Sequence, residues 1–158
     1  MARTFPDRQR TLGSLLRLPY QALQHAVYGA LAERGFNDIR AAHSAVFRHI
    51  DADGTRLTVL AERAGMTKQS IAYLVDALSQ AGYLASAADP HDGRARRVRL
   101  TRRGEQAMTA LLELSADFER RLAGQLGTTK MARLRALLEE LAGVVDATAD
   151  AAADGRGR

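Results

Sequence analysis

The chain has 158 residues, of which 46% are hydrophobic and 26% charged, so it fits one domain or one small two-part unit with a real core. It contains no cysteine, which excludes disulfides, thiolate metal sites and thiol redox sensing. The absence of a signal-peptide pattern and of a long apolar run predicts a cytoplasmic protein without a membrane span.

The net charge of +5 is concentrated in one short stretch. Residues 89–103 carry six arginines against two aspartates, whereas the rest of the chain is close to neutral. Such a concentration is typical of a surface that binds an anionic partner.

The N-terminal third predicts two helices. Apolar residues recur at helical spacing from Leu12 to Leu31, and Gly35 is a stop signal. Pro19 interrupts this run, so it either kinks the helix or lies in the first turn of a separate one. A second helix is predicted over Ala41–Ile50, and an Asp-rich turn over residues 51–54 follows it.

Residues 56–84, RLTVLAERAGMTKQSIAYLVDALSQAGYL, predict a helix-turn-helix. Thr58 is predicted to cap a short helix, Gly65 to break it, and Thr67 to cap the next one. The second helix buries an apolar stripe, made of Ile71, Leu74, Val75 and Leu78. Its leading face presents polar side chains suited to base contacts in the major groove, namely Lys68, Gln69, Ser70 and Tyr73.

Residues 89–104, DPHDGRARRVRLTRRG, predict the turn and second strand of a β-hairpin. The first strand is predicted over residues 83–87, the turn over 89–93 and the second strand over 96–101. Val98 and Leu100 alternate with Arg97 and Arg99, so one face packs on the core and the other is cationic. A hairpin after a helix-turn-helix is a winged helix.

Two leucine-rich helices are predicted to follow, one from Arg102 to Ala123 and one that starts at Thr128 or Thr129. A winged helix alone has too small a core to cover these helices and the N-terminal one. We therefore expect a homodimer built through the helices of both termini, while an intramolecular bundle over the same leucines stays an alternative.

The predicted fold class is mostly α with a small β-hairpin wing. Residues 12–50 form an N-terminal dimerisation helix with its supporting helix, 51–101 the winged helix-turn-helix, and 102–146 the C-terminal dimerisation helices. Residues 1–10 and 149–158 are predicted to be flexible tails.

This order of elements over residues 12–146 resembles the MarR family of transcriptional regulators. The resemblance is carried by residues 57–84 and 89–104, in which Asp92-x-Arg94 and Leu100-Thr101-x-x-Gly104 are similar to the family's wing signature. It implies a homodimeric DNA-binding regulator, often a repressor, that small molecules release from double-stranded DNA.

The resemblance also implies roles for single residues. The helix matching Thr67–Leu78 reads the major groove, and Arg94 enters the minor groove. Asp92 pairs with basic groups and holds the wing tip in shape, while Gly93 lets the tip turn. We expect Arg96 and Arg97 to contact phosphates, which position a protein without specifying sequence.

A crevice for a small-molecule effector is implied between the dimer helices and the winged domain. The residues able to line it are Tyr20, His25, Tyr28, His43 and Phe47, and such a lining suits a hydrophobic anion such as a phenolic acid. No cofactor is expected, and the four histidines lack the spacing of metal ligands.

Two other functions stay open. A non-specific architectural DNA-binding protein would need only the arginine wing, but it would gain more from Lys or Arg than from Gln69, Ser70 and Tyr73. A winged helix specialised for protein interaction would not need the cationic stretch. An enzyme is disfavoured, because the sequence has no glycine-rich phosphate loop, nucleophile elbow or metal-ligand spacing.

Overall fold

The computed structural model describes residues 11–89 and 92–154, with side chains placed for all of them except 92–95 and 146–154. The chain forms two compact units, Met1–Ala116 and Asp117–Arg158. The first unit holds a single hydrophobic core, to which helices and strands from Val27 to Leu114 contribute.

The first helix, α1, spans Leu12–Glu33 and is continuous. The Thr11 side chain caps it by accepting a hydrogen bond from the Ser14 N–H. Pro19 lies inside the helix, so the alternative in which it starts a separate helix is wrong. Val27 and Leu31 are buried, whereas the leucines of the first two turns are exposed.

The segment that was expected to be one helix over Ala41–Ile50 is shorter and divided. A 3₁₀ turn spans Ala41–His43, and α2 spans only Ser44–Phe47. Val46 and Phe47 are buried, as their apolar character predicts. The chain then makes the predicted turn, in which the Gly54 N–H donates to the Asp51 carbonyl over 3.0 Å.

The predicted helix-turn-helix is present. α3 spans Leu57–Arg63 and α4 spans Lys68–Gln80, and Gly65 between them has a φ of +61°, which an L side chain rarely adopts. The stripe predicted for α4 is buried in full: Ile71, Leu74, Val75 and Leu78. Thr58 does not cap α3, because Arg56 occupies the N-cap position and Thr58 lies within the helix.

The wing belongs to a three-stranded antiparallel sheet in the order β1-β3-β2. β1 is Thr55–Arg56, β2 is Leu84–Asp89 and β3 is Asp92–Leu100. Both hairpin strands extend further towards the tip than predicted, so Asp89 and Asp92 are paired strand residues. Gly93 also lies in β3, so the turn predicted over residues 89–93 is wrong at positions 89, 92 and 93. Residues 90 and 91 lie outside the described residues.

The long C-terminal helices are α5, Arg102–Leu126, and α6, Thr128–Asp154. The turn predicted over residues 124–127 is a single residue, Gly127, with a φ of +94°. Helix α6 continues to Asp154, into the segment that was expected to be a flexible tail. None of the helices among the described residues is long and apolar enough to cross a membrane.

Candidate nucleic-acid interface

The N-terminal end of α4 is the polar surface that the sequence predicts to bind DNA. All five of its predicted contact residues are exposed: Thr67, Lys68, Gln69, Ser70 and Tyr73. Two of them are occupied in capping the helix. The Thr67 Oγ1 atom accepts a hydrogen bond from the Ser70 N–H over 3.1 Å and lies 2.8 Å from the Ser70 Oγ atom. The side chains of Lys68, Gln69 and Tyr73 make no hydrogen bond or ion pair with the described residues.

The arginines of β3 have different environments. The Arg96 Nε–H donates to the Ser86 Oγ atom over 2.7 Å, and the side chain stays exposed on the strand surface. Arg99 is exposed as well. The side chains of Asp92 and Arg94 lie outside the described residues, so their expected pairing and minor-groove role stay predictions.

Arg97 is held in an ion-pair cluster instead of being presented to solvent. Its Nε–H donates over 3.0 Å to the carboxylate of Asp89, a side chain with no exposed surface. The Nη1 group of Arg97 also contacts the Asp53 carboxylate at 3.0 Å, and Arg56 donates to Asp89 from β1. The hydrogen bond to Asp89 is the main reason why the pKa of Arg97 lies above its ordinary value. The cluster joins the hairpin to β1.

A second arginine shapes the turn beside this cluster. Arg63 at the end of α3 donates to both Asp51 carboxylate oxygens, at 3.0 and 2.9 Å, and to the His49 carbonyl. Arg63 is therefore the main cause of a lowered pKa at Asp51, with a smaller contribution from Thr55. The contacts fix the connection between α2 and β1.

The Thr101–Gly104 pair fixes the junction between the wing and α5. The Thr101 hydroxyl donates to the Gly82 carbonyl over 2.6 Å and accepts from the Gly104 N–H over 3.1 Å. A Cβ atom on Gly104 would lie 2.1 Å from the Tyr83 carbonyl oxygen, so no side chain fits there. The Leu-Thr-x-x-Gly pattern thus has a steric cause in this chain.

A cavity of about 330 Å³ lies within the first unit, between residues of α1, α2 and α5. Its lining is largely apolar and aromatic: Tyr20, Leu23, Gln24, Val27, Tyr28, Ser44, Phe47, Arg48, Met108, Leu111, Leu112 and Ser115. Three of the predicted effector residues, Tyr20, Tyr28 and Phe47, are in this lining. Burial is the main cause of a raised pKa at Tyr28, and a hydrogen bond with Ser44 opposes it.

Arg48 is a lining residue that the sequence analysis missed. Its Nη2 group donates to the Tyr20 hydroxyl over 2.6 Å, and its guanidinium lies 5.3 Å from the centroid of the Tyr20 ring. No carboxylate among the described residues forms an ion pair with it. In the sequence nothing separates Arg48 from any other surface arginine, because only the packing of α1, α2 and α5 brings it to the cavity.

The two histidines among the effector candidates are not part of this cavity. His25 is exposed on α1. His43 is buried, and its Nδ1 atom accepts the Arg40 N–H over 3.1 Å, which makes it a capping residue of the 3₁₀ turn. Among the described residues, no three His, Cys, Asp or Glu side chains form a group that could hold a metal ion.

Helix α4 follows the short helix α3, buries an apolar stripe and exposes its polar N-terminal end. A hairpin with exposed arginines comes next, and this order of elements defines the winged helix-turn-helix class. The model of the MarR family matches residues 37–95, which contain α3, α4, β2 and the start of β3. Over these elements the chain is similar to the MarR family. Among curated proteins, none matches it.

Three solved structures illustrate the likeness. A transcriptional regulator from Thermotoga maritima is 27% identical, with a TM-score of 0.59, over 85% of this chain and 93% of that one. CouR, a transcriptional repressor of Rhodococcus jostii RHA1 solved on a 23-mer DNA duplex, is 22% identical, with a TM-score of 0.69, over 90% and 99%. PcaV from Streptomyces coelicolor, solved with its natural ligand, is 24% identical, with a TM-score of 0.63, over 90% and 97%.

Proposed function

We propose that the chain is a homodimeric, sequence-specific DNA-binding transcriptional regulator that acts as a repressor. Helix α4 enters the major groove of a palindromic operator, and the hairpin of β2 and β3 reaches the minor groove. The observation that carries this proposal is the end of α4, where Lys68, Gln69 and Tyr73 are exposed on a helix whose opposite face is buried. The DNA-bound structure of CouR supports it.

The charge of the exposed α4 face favours sequence reading over non-specific binding. Its exposed side chains include one cation, Lys68, and one anion, Asp76, with neutral polar groups between them. Non-specific affinity comes from neutralised phosphates, so an architectural protein gains nothing from Asp76. Neutral hydrogen-bonding groups are instead suited to base edges.

The exposed leucines support assembly as a homodimer. The first unit exposes four on the first two turns of α1: Leu12, Leu15, Leu16 and Leu18. The second unit exposes a further set on α6: Leu134, Leu137, Leu138, Val144 and Val145. Exposed apolar surface of this extent is typical of an interface. A two-fold dimer carries its α4 helices about 34–36 Å apart, one turn of DNA.

The cavity of the first unit is proposed to bind the effector, a small aromatic carboxylate. Its volume of about 330 Å³ suits a single-ring compound. Phe47 and Leu111 supply apolar contacts to the ring, and the Arg48 guanidinium supplies a forked donor for the carboxylate. Ligand binding would pull on Arg48 at the end of α2.

The test of DNA reading is selection from a random duplex pool at near-physiological salt, with light scattering to establish dimer mass. An enriched palindrome with half-sites one turn apart supports the proposal. Salt-sensitive binding without an enriched sequence supports the architectural alternative instead. A reporter behind the selected operator then decides the direction, because a repressor lowers its expression and an activator raises it.

The wing is tested by salt titration of binding to the selected duplex. For about 6–10 phosphate contacts, affinity falls about 10³- to 10⁵-fold between 50 and 200 mM salt. Arg94→Ala and Arg99→Ala weaken binding and leave thermal unfolding unchanged. A flat salt response contradicts the electrostatic role of the hairpin.

The effector site is tested by calorimetry with matched ligands, benzoate-type acids and the corresponding uncharged amides. The acid binds more tightly than the amide to the natural protein, and Arg48→Gln removes that difference. Equal affinity for acid and amide, or no saturable binding of any aromatic acid, contradicts the assignment.

A further inference from the structure

We infer that Gln69 and Tyr73 make the α4 helix specific for A·T base pairs, with Gln69 reading an adenine and the Tyr73 ring reading a thymine methyl group. This inference rests on the proposed function and specifies two of the bases in each half-site. It follows from which side chains on α4 are available to DNA and from the chemistry of their ends.

Four polar residues at the start of α4 divide by what their side chains already contact. The hydroxyls of Thr67 and Ser70 lie 2.8 Å apart, and Thr67 also accepts the Ser70 N–H. One of these hydroxyls donates its only proton to the other, and Thr67 also accepts the cap N–H, so the pair has one O–H left to offer a base edge. Lys68 and Gln69 have no such contact among the described residues, and Tyr73 follows one turn later.

Gln69 has the donor and acceptor pair that matches adenine. A primary amide donates to adenine N7 and accepts from the adenine N6 amino group, in a bidentate arrangement that no other base pair offers in the major groove. Lys68 has a point charge on a flexible stem, which binds a phosphate as readily as a guanine. Among the exposed groups in the first helical turn, Gln69 is therefore the one with the greatest power to discriminate between bases.

Tyr73 lies on the same helix face, because residues four apart are neighbours on a helix surface. The residue is 76% exposed, so its ring is accessible to DNA. The rise from Gln69 to Tyr73 is about 6 Å, and base pairs stack about 3.4 Å apart. That rise corresponds to about two base-pair steps, so the two side chains reach different base pairs of one half-site. An aromatic ring in the major groove finds its apolar contact at the C5-methyl group of thymine.

The face loses its affinity for DNA beyond Tyr73. Asp76, the next residue along the same exposed row, has a carboxylate that repels phosphates and accepts no contact from A·T pairs other than the adenine amino group. Gln80 is the last residue of the helix and of this exposed row, and it lies about two turns further from the capped end than Tyr73. The specificity of α4 is accordingly confined to its first two turns.

The test uses the duplex that the natural protein selects, remade with base analogues and bound by four variants. Replacing the read adenine by 7-deazaadenine removes N7, and replacing the read thymine by uracil removes only the methyl group. We expect 7-deazaadenine to weaken binding of the natural protein by about 5-fold or more per half-site, as for the loss of a good base contact. Uracil removes one methyl group and should weaken binding by about 4-fold. Gln69→Ala becomes insensitive to 7-deazaadenine, and Tyr73→Ala becomes insensitive to uracil.

Two controls separate this result from a loss of folding or of phosphate binding. Tyr73→Phe keeps the ring and its response to the thymine methyl, whereas a loss equal to that of Tyr73→Ala would mean that the hydroxyl binds a phosphate and would overturn the Tyr73 assignment. Gln80→Ala makes the same chemical change at the far end of the row and leaves affinity unchanged. The analogue arm needs no variant, so it decides whether adenine N7 and the thymine methyl group are read even where a variant fails to fold. The variants then assign each contact to Gln69 or Tyr73.

The outcomes distinguish this inference from the proposed function. A selected palindrome whose bases respond to neither analogue, or to both analogues equally in Gln69→Ala and in the natural protein, overturns the assignment and leaves the regulator intact. A pool that yields no enriched sequence overturns both.

Discussion

The Nε–H of Arg56 in β1 donates to the buried carboxylate of Asp89 at the end of β2 over 2.6 Å, across 33 positions of sequence. Arg97 of β3 donates to the same carboxylate oxygen. One acidic side chain at the far end of β2 therefore contacts arginines of both other strands and joins the three strands of the sheet.

Asp89→Ala should lower the free energy of unfolding by about 2–3 kcal/mol, because it leaves the guanidinium groups of Arg56 and Arg97 without their shared carboxylate. The loss is smaller than for a fully buried ion pair, since both arginine side chains are partly exposed. Urea unfolding measures the change. Asp53→Ala is the matched control, since it removes a carboxylate that contacts the same Arg97 but is 78% exposed. That variant should stay within about 0.5 kcal/mol. Equal effects of the two substitutions would contradict the role assigned to Asp89.

Gly104→Ala should destabilise the chain by about 3 kcal/mol, because the new methyl group meets the Tyr83 carbonyl oxygen at 2.1 Å and backbone atoms yield little. Gly124→Ala lies in the same helix with nothing within 4 Å of the added atom. It should raise stability by about 0.5–1 kcal/mol through helix propensity. Thermal unfolding of both variants measures the difference. If Gly124→Ala destabilised the chain as much as Gly104→Ala, the contact with the Tyr83 carbonyl oxygen would not be the cause.

Thr67→Ala should cost about 0.5–2 kcal/mol, since the hydroxyl that accepts the Ser70 N–H is lost. Thr67→Asn, which retains a capping acceptor, should recover most of the loss. Thr58→Ala tests the same change at the threonine that lies inside α3, and it should be nearly neutral. Chemical denaturation of the three variants resolves the difference, and a cost at Thr58 that matches the cost at Thr67 would show that capping is not the cause.

Stability should fall as the pH drops below 6.5, in part through His43. Burial, and secondarily the charge of Arg40, lowers the pKa of His43 in the folded chain below its ordinary value of 6.5. Above that pH both states hold a neutral ring. Below it the unfolded state binds a proton that the folded state refuses, so unfolding becomes easier until the pH reaches the folded pKa.

The control for this pH dependence is His43→Asn, which does not titrate and keeps an acceptor for the Arg40 N–H. Its unfolding free energy, measured by urea denaturation from pH 5 to 8, should vary less steeply below pH 6.5 than that of the natural protein. Identical slopes in the two proteins would mean that His43 does not contribute.

The features that the sequence predicted well are those that depend on neighbours a few positions apart. The stripe of α4 from Ile71 to Leu78 follows from a 3.6-residue period, and the cap at Thr67 follows from its place just before that stripe. The hairpin was found for the same reason, since Val98 and Leu100 alternate with arginines. Local backbone geometry alone decides which of these residues share a face, so the sequence was sufficient to predict the fold class and the exposed face of α4.

The sequence analysis predicted wrongly, or missed, the features that depend on tertiary structure. Thr58 was the better capping residue by type, but Arg56 of β1 holds the N-cap position, so α3 begins at Leu57, two residues earlier than a Thr58 cap would start it. Asp89 was predicted to be a turn residue, because its partner Arg56 lies 33 positions away and a local pattern does not show their contact. Arg48 joins the cavity only when α1, α2 and α5 pack together. The sequence by itself determined which helices and strands form and which of their faces are polar, because periodicity acts over one or two turns. Tertiary structure decided which arginines are held by carboxylates and which stay exposed, because those partners meet only after the chain has folded.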